Sequence, residues 1–274
     1  MPETARPQPF DFKKWYGAWA VVAGASQGLG AAYARQLAAR GLNLFLIARR
    51  TELLETLAVN LTHQFAVQVQ TLTLDLSAPE AAEQIDRETA GLDLGLLVYN
   101  AALSVVGPLH DHPLAVHLKE INTNVRTPFT LTYRLGQRML EKGHGGIILM
   151  SSLSAFQGSA YISNYSATKA YNLLLAEGLW EEWRPRGVDV LVCVAGAIKT
   201  PNFEASGPRQ TGRFSDATME PEGIARAAIA ALGRQPFVIP GWSNRLASFV
   251  MRHLLPRRVS IRMMGRILHD MYIH

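Results

Sequence analysis

The chain has 274 residues, 48% hydrophobic and 18% charged, and its 27 Lys+Arg against 22 Asp+Glu leave a net charge of +5. Its single cysteine, Cys193, excludes an internal disulfide and any multi-cysteine zinc site. No run reaches the ~18 apolar residues of a membrane span and the start lacks a signal-like apolar stretch, so a soluble, cytoplasmic globular protein is expected.

Residues 1–12, with Pro2, Pro7 and Pro9, read as a loose arm. Trp19 to Ala23 is an apolar run that predicts a strand, followed by an Ala-rich helix over 31–40 that Gly41 stops. The alternation continues with strand 42–48, helix 51–63, strand 67–74, helix 79–89 and strand 94–98. One long helix is predicted over 114–140, kinked at Pro128. Strand 147–150, helix 163–183 and strand 188–194 follow. Residues 201–220 are rich in Gly, Pro, Ser and Thr, hold no period and read as a lid. Helix 222–232, a short strand over 237–240 and two basic amphipathic helices in 243–274 close the chain.

Nearly continuous apolar strands suit a parallel sheet covered on both faces. The expected fold is therefore α/β. A doubly wound parallel sheet of about seven strands, with helices on both faces, fills one domain over 13–242, and 243–274 forms a C-terminal helical extension.

The first strand runs into Gly24-Ala25-Ser26-Gln27-Gly28-Leu29-Gly30, and a helix follows at once. Glycines at such a junction let the backbone turn tightly and approach a pyrophosphate, which then sits on the helix N-terminus. The second strand ends at Ala48-Arg49-Arg50. A carboxylate there would bond the ribose 2′-hydroxyl of NAD(H), whereas a small residue beside Arg49 suits a 2′-phosphate and favours NADP(H). Tyr165 and Lys169 stand four residues apart on one helix face, and an ammonium beside a phenol lowers its pKa. Ser151 and Ser152, just past a strand, offer a hydroxyl to hold a carbonyl oxygen beside that phenol.

Together with Asn100-Ala101-Ala102 and the stretch from Gly196 to Thr200, these motifs resemble the short-chain dehydrogenase/reductase family over roughly residues 17–240. The resemblance implies that Tyr165 gives or takes the proton and Ser152 orients the substrate carbonyl. It implies that Lys169 lowers the Tyr165 pKa and binds the nicotinamide ribose, and that Asn124 holds a water of the proton relay. By the same resemblance Asp75 and Leu76 lie by the adenine, Asn100 supports the sheet beside the cofactor, and Ile198 and Thr200 hold the carboxamide and phosphate. Three positions depart from the family pattern: Ala23 for Thr, Ala102 for Gly and Ala195 for Pro. All are small-for-small changes.

The implied activity is NADP(H)-dependent interconversion of a ketone or aldehyde and an alcohol. Ser154, Phe156, Tyr161, Phe203 and Phe214 are the expected pocket wall, which suggests an apolar small-molecule substrate. A nucleotide-binding redox sensor is the alternative from another class, and a peripheral membrane reductase of lipid carbonyls is a third. His110, His112 and His117 flank Pro113 at a loop-to-helix junction and no acidic or cysteine cluster joins them, so no metal is expected. Cys193, in an apolar strand, reads as an inert core residue. The C-terminal helices carry Arg258, Arg262 and Arg266 beside a stripe of Val259, Met263, Ile267 and Met271. That stripe is expected to pack on its own domain or a second subunit of a homodimer or homotetramer rather than on a membrane. No nucleic-acid partner is expected from so mild a charge excess. The tail and the Tyr16-Gly17-Ala18-Trp19-Ala20 lead-in resemble the family branch with long-chain 3-ketoacyl and hydroxysteroid enzymes.

Overall fold

A computed structural model describes residues 11–199 and 218–272. The apolar runs fold as seven strands: β1 (Trp19–Ala23), β2 (Asn43–Ala48), β3 (Val69–Thr73), β4 (Leu94–Tyr99), β5 (Gly145–Ser152), β6 (Val188–Ala195) and β7 (Phe237–Val238). Their order across the sheet is β3-β2-β1-β4-β5-β6-β7, and every neighbouring pair is parallel. Every residue of β1, β4 and β6 is buried, as strands covered on both faces must be.

Ten α-helices are present among the described residues. They are α1 (Phe12–Tyr16), α2 (Gly28–Ala38), α3 (Thr51–Phe65), α4 (Ala81–Glu88), α5 (Leu114–Ile121), α6 (Thr127–Lys142), α7 (Ser163–Trp183), α8 (Pro221–Ala231), α9 (Trp242–Phe249) and α10 (Arg257–Tyr272). The strand period of two divides the core in half. Ala20 and Val22 of β1 face Leu37 of α2, Leu54 of α3 and Ile224 of α8. Val21 and Ala23 face the opposite cluster, with Ile85 of α4, Leu135 of α6 and Leu173 of α7. Cys193 lies in the first cluster, fully buried as expected, and burial pushes its thiol up to about 12.

The helix expected over 114–140 is two helices. A π-helical turn, Asn122–Arg126, separates α5 from α6 and makes the break that sequence reasoning placed at Pro128. Pro128 instead sits in the first turn of α6, where a missing N–H is tolerated. It has no N–H to offer the Asn124 carbonyl four residues back, and Asn172 Nδ2 donates to that carbonyl at 3.0 Å.

Three further expectations need correction. Residue 12 does not belong to the expected arm of 1–12: Asp11 caps α1 by accepting from the Lys13 and Lys14 amides, and Tyr16 is fully buried, its hydroxyl 2.9 Å from Asp189 Oδ2. The C-terminal extension begins at Trp242 with α9. On α10 the packed face is also displaced. Ser260 and Leu268 are buried, whereas Val259 is 45% and Met263 37% exposed, so the face is turned one residue, about 100°, from the expected stripe. The lid falls mostly outside the described residues. Its last residues are tied back: Met219 N donates to Ala197 O and Lys199 N to Met219 O, both at 3.1 Å.

Candidate active site

Strand order reverses between β1 and β4, so the helices after these strands leave on opposite faces and open a crevice at the carboxyl ends. A cavity of about 680 Å³ fills this crevice.

Its floor is the glycine turn after β1. Gly24 has φ +83°, and a Cβ there would lie 2.8 Å from the Ala101 backbone. A Cβ at Gly30 would meet the Gly24 carbonyl oxygen at 1.9 Å. Neither position admits a side chain, so the backbone is bare where a pyrophosphate would come closest. Asn100 Nδ2 donates to Gly24 O at 3.0 Å and so braces the turn from the end of β4. α2 starts at Gly28, earlier than expected, with Gln27 as its N-cap and no side-chain hydrogen bond closing the end. Amides at the start of such a helix can meet an anion.

Gly24, Ser26, Gln27, Gly28 and Leu29 all line the cavity, as do Asp75, Leu76, Asn100, Ala101, Ala102, Gly196 and Ile198. Gly30 lies beneath, against Gly24, and Thr200 falls outside the described residues. Arg49 lines the cavity too, beside Arg50, which sequence reasoning passed over. Arg50 Nη2 donates to Ser26 Oγ at 3.3 Å, which ties the end of β2 to the glycine turn. Asp75 accepts from Ser77 N at 3.0 Å and Ser77 Oγ at 2.8 Å, and pairs with Lys119 at 3.0 Å. Burial alone would raise this carboxyl, but those bonds and the lysine outweigh it and hold it at about 2.

β5 and α7 bring Ser152 and Tyr165 together. Ser152 ends β5, and Tyr165 stands in the first turn of α7; both line the cavity. Burial pushes the Tyr165 phenol up to about 12, opposed by a hydrogen bond from Ser152 and reinforced by Glu120 and Tyr272. The expected lowering by Lys169 is therefore not the balance in this structure. Lys169 Nζ lies 5.5 Å from the Tyr165 ring centroid and donates to Met150 O at 3.2 Å. Burial lowers this ammonium to about 8, with Glu120 opposing.

Asn124 is fully buried in the π turn. Its Oδ1 accepts from Leu103 N at 2.9 Å, and its Nδ2 donates to Leu103 O at 2.7 Å and Thr168 Oγ1 at 3.1 Å. It thus pins the loop after β4 to α7 behind Tyr165. Glu120, one turn earlier and missed by sequence reasoning, makes a parallel tie. Its Oε1 accepts from Val105 N at 3.0 Å and its Oε2 from Asn164 Nδ2 at 2.5 Å. Burial raises the Glu120 carboxyl, while Val105, Asn164, His117 and Lys169 oppose.

The cavity wall differs from the expected pocket wall. Leu103, Ser104, Val106 and Ile162 line the cavity, joined by Leu268 and Tyr272 of α10, and Ser154, Phe156 and Tyr161 do not. Ser154 is buried, and its Oγ has no partner among the described residues. The Phe156 ring is covered by the Arg252 guanidinium, 4.3 Å from its centroid. Tyr161 takes φ +66°, rare for a bulky residue, and its ring meets His269 at 5.8 Å. Phe203 and Phe214 lie outside the described residues. The histidines serve the loop: His112 Nε2 lies 3.0 Å from Val106 O and His117 Nε2 2.9 Å from Leu109 O. Among the described residues no group of side chains could hold a metal.

A family model described as short chain dehydrogenase matches residues 18–211. The 7beta-hydroxysteroid dehydrogenase of Clostridium sardiniense is 32% identical over 235 residues, which span 86% of this chain and 90% of that protein. The very-long-chain 3-oxoacyl-CoA reductase of Anas platyrhynchos is 31% identical over 261 residues, 90% of this chain and 81% of that one. Among solved structures, one from a study of 7beta-hydroxysteroid dehydrogenase stereoselectivity superposes with a TM-score of 0.88 at 29% identity, covering 93% of this chain and 99% of the other. A short-chain dehydrogenase from Sphingobium yanoikuyae in complex with NADPH gives 0.75 at 26% identity, covering 84% and 91%.

Proposed function

The chain belongs to the short-chain dehydrogenase family and is a nucleotide-binding oxidoreductase; from that premise we propose that it uses NADP(H) to interconvert a bulky apolar ketone and its secondary alcohol. The observation that carries this reading is the placement of Tyr165 against Ser152, with both at the wall of the cavity that the bare glycine turn floors. The turn, the uncapped end of α2 and the arginine pair fit a phosphorylated dinucleotide. When bound, that cofactor supplies or accepts the hydride.

This chain's own residues do the rest. Ser152 Oγ holds the carbonyl oxygen, and Tyr165 Oη gives it a proton as the bond to carbon forms, or takes one back in oxidation. A phenol raised by burial gives up its proton reluctantly, so the phenolate that oxidation needs is favoured by any positive charge brought near it. Lys169 is one such charge and is protonated below about pH 8. Asn124 and Glu120 position the Tyr165 helix relative to the loop that carries Leu103 and Val106.

For the 2′-phosphate the support is Arg49 and Arg50 where a NAD(H) enzyme would place a carboxylate. For the substrate it is the apolar wall of Leu103, Val106, Ile162 and Leu268, together with the hydroxysteroid activity named for similar proteins. The test is NADPH consumption by the purified full chain against a panel of oxosteroids, long-chain 3-oxoacyl thioesters and small ketones. Turnover is expected with the oxosteroids and with NADPH in preference to NADH. Tight NADPH binding with no consumption across the panel would instead establish a sensor.

A further inference from the structure

α9 is inside out. Its buried residues are Asn244 and Ser248, 7% and 5% exposed, while Trp242, Leu246 and Phe249 stand 76%, 55% and 54% exposed. The inward polar side has a local cause. Asn244 Nδ2 donates to Pro240 O at 3.0 Å, and its amide lies so close to Gly196 that a Cβ there would be 2.8 Å from it. A polar side chain is therefore needed beneath the helix, and the large apolar ones are left to the outside. Positions 242, 246 and 249 recur at helical spacing and share that outer face. Beyond α9, Leu254 is 64% exposed, and the outward Val259 and Met263 of α10 extend the apolar surface.

Arg245, Arg252, Arg257, Arg258, Arg262 and Arg266 are all exposed along this segment, and Asp270 is its one acid from 242 to 272. An apolar face rimmed by charge marks an interaction surface. Charge decides between its occupants. A two-fold contact would set the face against itself and oppose six arginines to six. An anionic bilayer meets both chemistries, since Trp, Leu and Phe enter the headgroup–acyl boundary while arginines meet phosphates.

We propose that α9 and the first turns of α10 dock the protein on an anionic lipid surface, with Trp242, Leu246 and Phe249 inserted and Arg245, Arg258 and Arg262 on the headgroups. The last turns of α10 supply Leu268 and Tyr272 to the cavity, so a single helix runs from the docked face to the substrate wall. The inference stands apart from the ketone reading, because lipid binding is measured without substrate.

The experiment is co-sedimentation of the full chain with vesicles of phosphatidylcholine alone and of phosphatidylcholine mixed with phosphatidylglycerol. Binding is expected to the mixed vesicles and release near 1 M salt, where screening shortens the charges' reach to about 3 Å. The Leu246→Glu/Phe249→Glu variant should bind roughly tenfold or more weakly and keep wild-type NADPH affinity, which also checks its folding. Should that variant misfold, Arg245→Ala/Arg258→Ala/Arg262→Ala serves in its place, with a loss of roughly fivefold for each arginine. Failure of the intact protein to bind mixed vesicles overturns the proposal. So does a smaller solution size for the Glu variant without any change in vesicle binding, which would make a second copy of the chain the occupant.

Discussion

The sheet and the C-terminal segment use apolar side chains in opposite ways. In β1, β4 and β6 every residue is buried, and the covering helices turn leucines and alanines inward. In α9 and α10 the buried positions are Asn244, Ser248, Ser260 and Leu268, and tryptophan, phenylalanine and methionine face out. The sheet needs nothing beyond itself to hide its apolar surface. The tail is only half buried by its own domain, so its stability and its role depend on what lies beside it.

Truncation at equivalent leucines would expose this contrast most sharply. Leu46, fully buried in β2, should cost about 2–5 kcal/mol of unfolding free energy when changed to Ala, read from urea denaturation. A cost below about 1 kcal/mol would mean that the first core cluster is loosely packed. Next in size is chemistry at the rim of the same core. Tyr165→Phe should lower turnover by about two orders of magnitude or more, the scale of lost general acid catalysis, with NADPH affinity near normal. A Phe variant that keeps most of its activity would remove Tyr165 from the mechanism.

Lys169 is a charge held inside the core, and it should destabilise what surrounds it. Its pKa falls from 10.5 to about 8 on folding. Below about pH 8 it is charged in both states and the desolvation cost is constant. Between pH 8 and 10.5 the unfolded chain binds the proton and the folded one does not, so this group's contribution to stability rises with pH. Lys169→Met should accordingly melt higher than the parent at pH 7 while losing activity, and the gap should narrow through that window. A gap that does not change with pH would show that packing, not charge, sets it.

Arg49 lies at the solvent edge of the cavity, where effects are smaller. Arg49→Ala should weaken NADPH by about tenfold and leave NADH almost unchanged, through loss of charge-assisted hydrogen bonds. Equal losses for the two cofactors would make Arg49 structural, and a larger loss in Arg50→Ala would shift the phosphate contact by one residue. Smallest of all, Leu246→Ala should change the unfolding free energy by no more than about 0.5 kcal/mol in the absence of lipid. A core-sized loss there would mean that α9 is covered in solution.

The amino-acid sequence alone determined the sheet and the family. Strands buried on both faces must be nearly continuous apolar runs, so β1, β2, β4, β5 and β6 were legible as such, while β3, partly exposed, showed by its alternation; glycines at a strand–helix junction and a Tyr–Lys pair at i and i+4 are local patterns. Ser152, Tyr165 and Lys169 could be found because each is fixed by its own strand or helix. Only the tertiary structure decided the rest, wherever the outcome depends on a partner far along the chain. The apolar period runs unbroken through Asn122–Arg126, so nothing in it marks the π turn that places Asn124. The sign of the Tyr165 shift follows from burial under surrounding elements. Leu268 and Tyr272 reach the cavity because α10 folds back across the domain. α9 turns its apolar side outward because Asn244 must meet the backbone at Pro240, a contact that helical periodicity does not encode.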